Sequence, residues 1–388
     1  MNTPIKTAPP TVKVGRWTTA IGLIGIGVMI LLQFNHVISF EALKYVWPVL
    51  LILLGLEVVL ANVIHSEKRI RLGGGSVTIL ILLMLVSAAQ VAIPNWSSIF
   101  NKGYVSKVQG STEIAAGIKR VEIIVDKGNV NVHGSEKASL SYEGRFRLRN
   151  ASSQEAADRI VKEDWKVNQS GDTLVLSLEP QHELSIHIGF NSLDDEYLNV
   201  ELPKALEVEV HTKDYSITGD QLDSNVTAVT KNASIKLKNI NGKASASTSN
   251  ASITLNNVKG SVSATTSNSS VHLSDIGGAA QVKSSNGSLT LDRIAGTVTA
   301  KTSNSSIKGT SAIGGDWTCT SSNGSISLNV PKNTNAAVKA KTSNSSVKGD
   351  IPWSEESGDN KGAATLGDGS NKVELTTSNG SIKVNYGE

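Results

Sequence analysis

The chain has 388 residues, a formal charge of +3 from 37 Lys plus Arg against 34 Asp plus Glu, and one cysteine, Cys319. A single cysteine excludes an intramolecular disulfide, and thinly spread charge without a basic block beside aromatic platforms argues against a nucleic-acid partner. The length allows two or three units: long Leu, Ile and Val runs lie before residue 95, and Ser, Thr, Asn, Gly and Lys dominate afterwards.

Three apolar stretches have the length a bilayer crossing needs, about 20 residues: Trp17 to Phe34, Val46 to Ile64, and Val77 to Ile93. Trp17, Trp47 and Trp96 sit at their edges, where amphipathic rings favour the headgroups. No small-residue cleavage site follows the first stretch, so it is expected to be retained. Lys6, Lys13 and Arg16 precede the first span, and Lys68, Arg69 and Arg71 follow the second. The positive-inside rule then places the N terminus in the cytoplasm and everything after Ile93 outside the cell membrane, a multi-pass arrangement whose first partner is the lipid bilayer. Glu57, inside the second span, is the candidate intramembrane polar site. With no second intramembrane charge to form a relay, it is expected to be protonated and bonded to a neighbouring helix, at Gln90 or at Thr18 and Thr19.

The run Trp47-Pro48-Val49-Leu50-Leu51-Ile52-Leu53-Leu54-Gly55-Leu56-Glu57, after the Gly-rich stretch Gly22 to Gly27, resembles the transmembrane region of LiaI/LiaF-like bacterial envelope proteins. The resemblance covers roughly the first ninety residues. It implies an anchor of the kind linked to cell-envelope stress responses. The C-terminal domain of LiaF does not follow here.

Residues 1–94 therefore read as a three-helix anchor and 95–117 as a polar linker. Residues 118–210 read as an irregular β-rich cap, with strands at 121–125, 130–132, 173–178 and 198–202. One helix interrupts them: Ser152 and Glu155 make a capping box, and Ala157, Ile160 and Val161 share a face.

From 211 to 388 the chain repeats about every 18 residues with the signature Thr-Ser-Asn-x-Ser-aliphatic. A fixed short period predicts an all-β solenoid, a β-helix or two-sheet β-roll, in which each coil buries its apolar face only against its neighbours. Ile235, Ile253, Val271, Leu289, Ile307 and Ile326 form one inward column, and Leu237, Leu255, Leu273, Leu291 and Leu328 a second. A facing column is small: Ala228, Ala246, Ala264, Val282, Ala300, Cys319 and Ala340. Cys319 is thus a small buried hydrophobe rather than a nucleophile. The Asn column, Asn232, Asn250, Asn268, Asn286, Asn304, Asn323, Asn344 and Asn379, is expected to serve left-handed tight turns and a stacked amide ladder, which explains the recurring glycosylation sequon as turn chemistry. Repeats such as Thr266-Ser267-Asn268-Ser269-Ser270-Val271, with the lead-in Leu202-Pro203-Lys204-Ala205-Leu206-Glu207-Val208, resemble a bacterial adhesin-like family of β-strand repeats. That resemblance implies a β-solenoid or roll on the outer face of the membrane and carries no catalytic residues.

No catalytic, cofactor or metal site is expected. His182, Glu183 and His187 lack a ligand spacing, Asp194-Asp195-Glu196 reads as a solvated loop rather than a calcium loop, and Asp275, Asp292 and Asp316 fall at bends as solvated turn acids, with weak cation binding along a shared edge row as the alternative. The excursion at 350–371 breaks the period with Trp353, Glu355 and Glu356, making it the candidate contact loop. The function expected is non-enzymatic, adhesin-like binding or display at the bacterial envelope, toward an envelope polymer or another membrane protein. The competing reading is an envelope-stress regulator acting with a membrane sensor kinase through its helices.

Overall fold

The computed structural model of the protein describes residues 11–34, 45–64, 69–73, 78–79, 103–148, 151–178, 196–354 and 359–387. They fall into an N-terminal unit up to Gly103 and a β unit from Tyr104 onwards.

In the N-terminal unit, helix α1 covers Arg16–Phe34 and helix α2 covers Val46–Ile64. Their 19 residues correspond to about 28 Å at 1.5 Å per residue. Among the described residues no helix is long and apolar enough to cross a membrane. Two helices thus stand where the first two spans were expected, and the third, 77–93, lies outside the described residues except for 78–79. Gly22 alone of the three α1 glycines permits close helix contact. A Cβ there would lie 2.6 Å from Leu50 Cδ2, whereas Gly25 and Gly27 face nothing within 4 Å. Strand Thr11–Val14 pairs in parallel with Arg69–Leu72, setting Lys13 opposite Arg71. The two basic segments flanking the hairpin therefore share one end of it.

The β unit consists of two 13-stranded sheets facing each other across one core. Each regular coil gives a six-residue strand to sheet I, such as Ile253–Val258, and a four-residue strand to sheet II, such as Val262–Thr265. Successive coils pair in parallel with an offset of 18 residues, so Ile235, Ile253, Val271, Leu289 and Ile307 stand side by side. These columns are almost completely buried. Each side chain contributes about 1.5–3 kcal/mol, far below the entropy cost of ordering an isolated coil, so cooperativity has to come from stacking.

A third inward column, Leu222, Ile240, Val258, Ile276 and Ile294, follows the second by three residues instead of two. The phase change is a bulge. Gln221, Asn239, Asn257, Asp275 and Arg293 adopt left-handed backbone, with φ between 51° and 57°, and drop out of the ladder between paired neighbours. Each bulge turns the next aliphatic inward and bends the chain toward sheet II.

The N-terminal end of both sheets, and the C-terminal end of sheet II, are closed by antiparallel pairing, which hides the raw strand edges there. At the N-terminal end Tyr104–Glu113 pairs with Ser139–Leu148, and Trp165–Ser170 with Thr173–Leu178. The first of these corrects the sequence reading, because residues expected to be linker form an edge strand of sheet I. Helix α3, Gln154–Asp164, is capped by Ser153, one residue later than expected, whose Oγ accepts from the Ala156 N–H at 3.2 Å. Its inward face is Ala157 and Val161, with Ile160 partly buried against the core.

The C-terminal end departs further from sequence order. Asn371–Thr377 lies between Trp317–Thr320 and Ala336–Thr342, and Ile382–Tyr386 between Ile326–Val330 and Val347–Lys348. After Val330 the chain skips a level, builds the outer coil, adds Lys361–Leu366 antiparallel beyond it, and returns to fill the gap. The return turn uses Gly367 and Gly369 at φ 56° and 70° and passes beside Asn335, whose Oδ1 accepts from the Asp368 N–H at 3.3 Å. The expected contact loop is therefore largely an edge cover. Trp353 is half-buried over Gly362, where a Cβ would come within 2.7 Å of the indole, and the Ser354 N–H donates to Ala363 O at 2.8 Å. Glu355 and Glu356 lie outside the described residues.

Candidate functional site

The signature Asn-x-Ser separates into two jobs. The asparagines form a continuous ladder in which each Nδ2 donates to the Oδ1 of the level before. Asn232 donates to Asp214 at 2.5 Å and Asn250 to Asn232 at 2.6 Å; Asn268, Asn286, Asn304 and Asn323 follow at 2.7–2.8 Å. The order then becomes Asn379 on Asn323 and Asn344 on Asn379, both at 2.7 Å. All the amide dipoles point the same way, with their N–H ends toward the Asp214 carboxylate, so charge and dipoles reinforce one another. None of these asparagines has positive φ, which corrects the expected left-handed turn. Beneath the ladder a buried Thr or Ser at each level satisfies turn carbonyls; Thr248 Oγ1, for example, donates to Ala233 O at 3.2 Å.

The serine that precedes each aliphatic faces outward. Ser216, Ser234, Ser252, Ser270, Ser288, Ser306, Ser325, Ser381 and Ser346 make a row along sheet I, beside a row running Thr218, Lys236, Thr254, His272, Thr290, Lys308, Ser327, Lys383 and Lys348. Sheet II is acidic at one end, with Glu122 beside Glu209, and becomes basic toward Lys283, Lys301 and Lys341. Between them a shallow trough of about 580 Å³ is lined by small polar groups including Thr227, Ser245, Ser263, Gln281 and Thr299.

Glu57 is placed as a helix cap. Its carboxyl oxygens accept from the Gly15 and Thr18 N–H groups at 2.9 Å, the Trp17 N–H at 3.4 Å and Thr18 Oγ1 at 2.6 Å. Thr18 was among the expected partners; the backbone donors were not, and they tie α2 to the start of α1 where the helix dipole favours an acceptor. Glu57→Gln turns part of that acceptor into a donor facing N–H groups, and is expected to cost the hairpin about 1–3 kcal/mol in micelle unfolding. An unchanged midpoint would remove the cap from the account.

The Toastrack DUF4097 family profile matches residues 118–385, more than two thirds of the chain. The chain belongs to the Toastrack DUF4097 family. A second profile, the LiaI-LiaF-like transmembrane region, matches residues 17–59. No curated protein matches the chain. Solved structures aligned with it include a candidate cell adhesion protein of Clostridium sporogenes, at 13% identity over 72% of this chain and 99% of that one, TM-score 0.22. A candidate adhesin of Bacteroides fragilis aligns at 12% identity over 72% and 96%, TM-score 0.23, and a candidate lipid binding protein of Parabacteroides distasonis at 16% over 73% and 97%, TM-score 0.31. Superpositions this loose carry no argument.

Within the Toastrack domain the acids expected at bends are engaged. Arg293 holds Asp275 bidentately at 2.6 and 2.8 Å and also bonds Asp292, while Asp316 accepts from the Lys372 N–H at 2.8 Å. No edge row of free carboxylates results, and no group of three metal-ligating side chains occurs among the described residues. His182, Glu183, His187, Asp194 and Asp195 lie outside them. Glu196 is buried, its Oε2 accepting from the Arg147 N–H at 3.2 Å. Cys319 is buried in the small column, and that burial pushes its thiol up to about 12.

Charge pairing concentrates near the N-terminal cap of the Toastrack domain. Asn225 and Arg120 hold Glu207 below the ordinary carboxylate range, Lys204 and Asn241 do the same for Asp223, and Arg293 for Asp275. Depressed folded-state values stabilise above the unfolded carboxylate range and lose that contribution as pH falls through the folded values. Thermal midpoints are therefore expected to be flat near neutrality and to fall in acid below that range. A midpoint that rises on acidification would contradict this.

Proposed function

We propose that the protein is a non-enzymatic, membrane-anchored display scaffold whose Toastrack domain binds a component of the bacterial envelope on the extracytoplasmic side. The observation that carries this reading is the division of labour within the repeat. Aliphatics, buried hydroxyls and the amide ladder are spent on stacking, while sheet I offers a long, regular, polar outer face. Anchoring is supported by the LiaI-LiaF-like match and by the large apolar side chains that α1 and α2 leave exposed, among them Ile24, Leu31, Ile52, Leu56, Val59 and Val63. Three crossings with a cytoplasmic N terminus remain the proposed topology, following the charge bias of the flanking segments.

The test is co-sedimentation of the full chain, in nanodiscs, with isolated envelopes. Retention is expected, and it should survive export of the chain lacking residues 1–95. Loss of retention by wild type would overturn the display reading, and loss only on removing the helices would favour the stress regulator.

A further inference from the structure

We propose that the outer face of sheet I is a docking track for a single linear, hydroxyl-bearing polyanion, a sugar or polyol polymer carrying phosphate or carboxylate groups, lying along the stacking axis. This rests on the display reading and names the partner of that face.

Strands stack at about 4.8 Å, and the outward row places Lys236, His272 and Lys308 on every second strand, with Thr254 and Thr290 between them. Ser327 follows, then Lys383 and Lys348 on adjacent strands. From Lys236 to Lys348 is seven strand spacings, about 34 Å. The four lysines and His272 are exposed, and among the described residues none of them forms an ion pair. Neither this row nor the parallel serine row contains an Asp or Glu from Thr218 to Lys348. Elsewhere in the β unit Arg120, Lys137, Lys204, Lys238 and Arg293 are each matched with a carboxylate, while Lys283, Lys301 and Lys341 of sheet II, like the sheet I row, form no ion pair among the described residues. What sets the sheet I row apart is its acid-free line of lysines flanked by hydroxyls that can bond to hydroxyls.

The shape selects the occupant. One file of charges fits one extended chain better than the plane of an anionic bilayer, and neither row carries a large apolar side chain that would insert into lipid. Neither row holds Phe, Tyr or Trp on which bases would stack, which disfavours a single-stranded nucleic acid.

The test uses full chain in nanodiscs of neutral lipid and measures binding of polygalacturonate and poly(glycerol phosphate), with neutral dextran, single-stranded DNA and phosphatidylglycerol vesicles as comparisons. Binding of at least one of the two hydroxylated polyanions, weakening with salt, is expected. K236Q/K308Q/K383Q should lower that affinity tenfold or more and reduce the slope of log K against log salt by about 2, at about 0.7 per lost contact on a flexible polyanion. The equal-charge control on sheet II, K283Q/K301Q/K341Q, should leave both nearly unchanged. Equal losses in the two variants would reduce the effect to net charge and overturn the track. Dextran bound as tightly as the polyanions would overturn the track while leaving display standing. Vesicles or DNA bound with the same lysine dependence, and no hydroxylated polymer bound, would also overturn it.

Discussion

Gly309→Leu is expected to destabilise the β unit by about 3 kcal/mol, and Trp317→Val by a similar amount, whereas the double variant should regain most of the loss. In the Leu column of sheet I, Gly309 stands between Leu291 and Leu328. In sheet II the fully buried Trp317 stands between Val298 and Val373. A Cβ on Gly309 would lie 2.7 Å from Leu328 Cδ1 and 3.0 Å from Trp317 Cζ3, so the glycine is the space the indole occupies. Leucine there alone overpacks the level, and valine at 317 alone leaves a void. Together they recreate the Leu and Val pairing of the Leu291 and Val298 level. The exchange also removes the Trp317 indole N–H, which is buried without a partner, and that removal contributes to the recovery. Chemical unfolding of the four proteins measures the coupling; losses that simply add would show that the two positions do not share one space.

Leu375→Ala is expected to cost about 2–5 kcal/mol, as a substitution in the middle of the stack would. Although Leu375 is near the C terminus in sequence, it is 1% exposed and lies between Cys319 and the level of Ala340. Were the levels stacked in sequence order, this strand would be the outermost and its truncation would cost well under that. Amide exchange separates the two arrangements: residues 371–377 should exchange as slowly as 298–301, and the edge strand 361–366 faster.

The repeat was legible because its inward columns recur at a fixed interval in aliphatic residues, which only a stack can bury. The amide ladder was legible for the same reason, although its turn geometry was not: asparagine is common in left-handed turns, and here the left-handed positions are at the bulge instead. Those positions leave no signature in the sequence because Gln221, Asn239, Asn257, Asp275 and Arg293 share a backbone conformation and no side-chain chemistry. The C-terminal order was hidden because Asn344 follows Asn323 as though it were the next level, and strand pairing across a skipped level leaves no mark on spacing. The outer rows of sheet I are not announced by the sequence, since their serines belong to the turn signature and a surface row has no hydropathy pattern of its own.

Under the proposed function the stack is displayed outside the membrane on an anchored chain. Ser270→Cys puts one exposed thiol on the serine row, while the native Cys319 is buried with its thiol pushed up to about 12 and stays silent at neutral pH. Labelling intact cells with a membrane-impermeant maleimide should modify the S270C chain fully without lysis; modification only after lysis would contradict extracytoplasmic display.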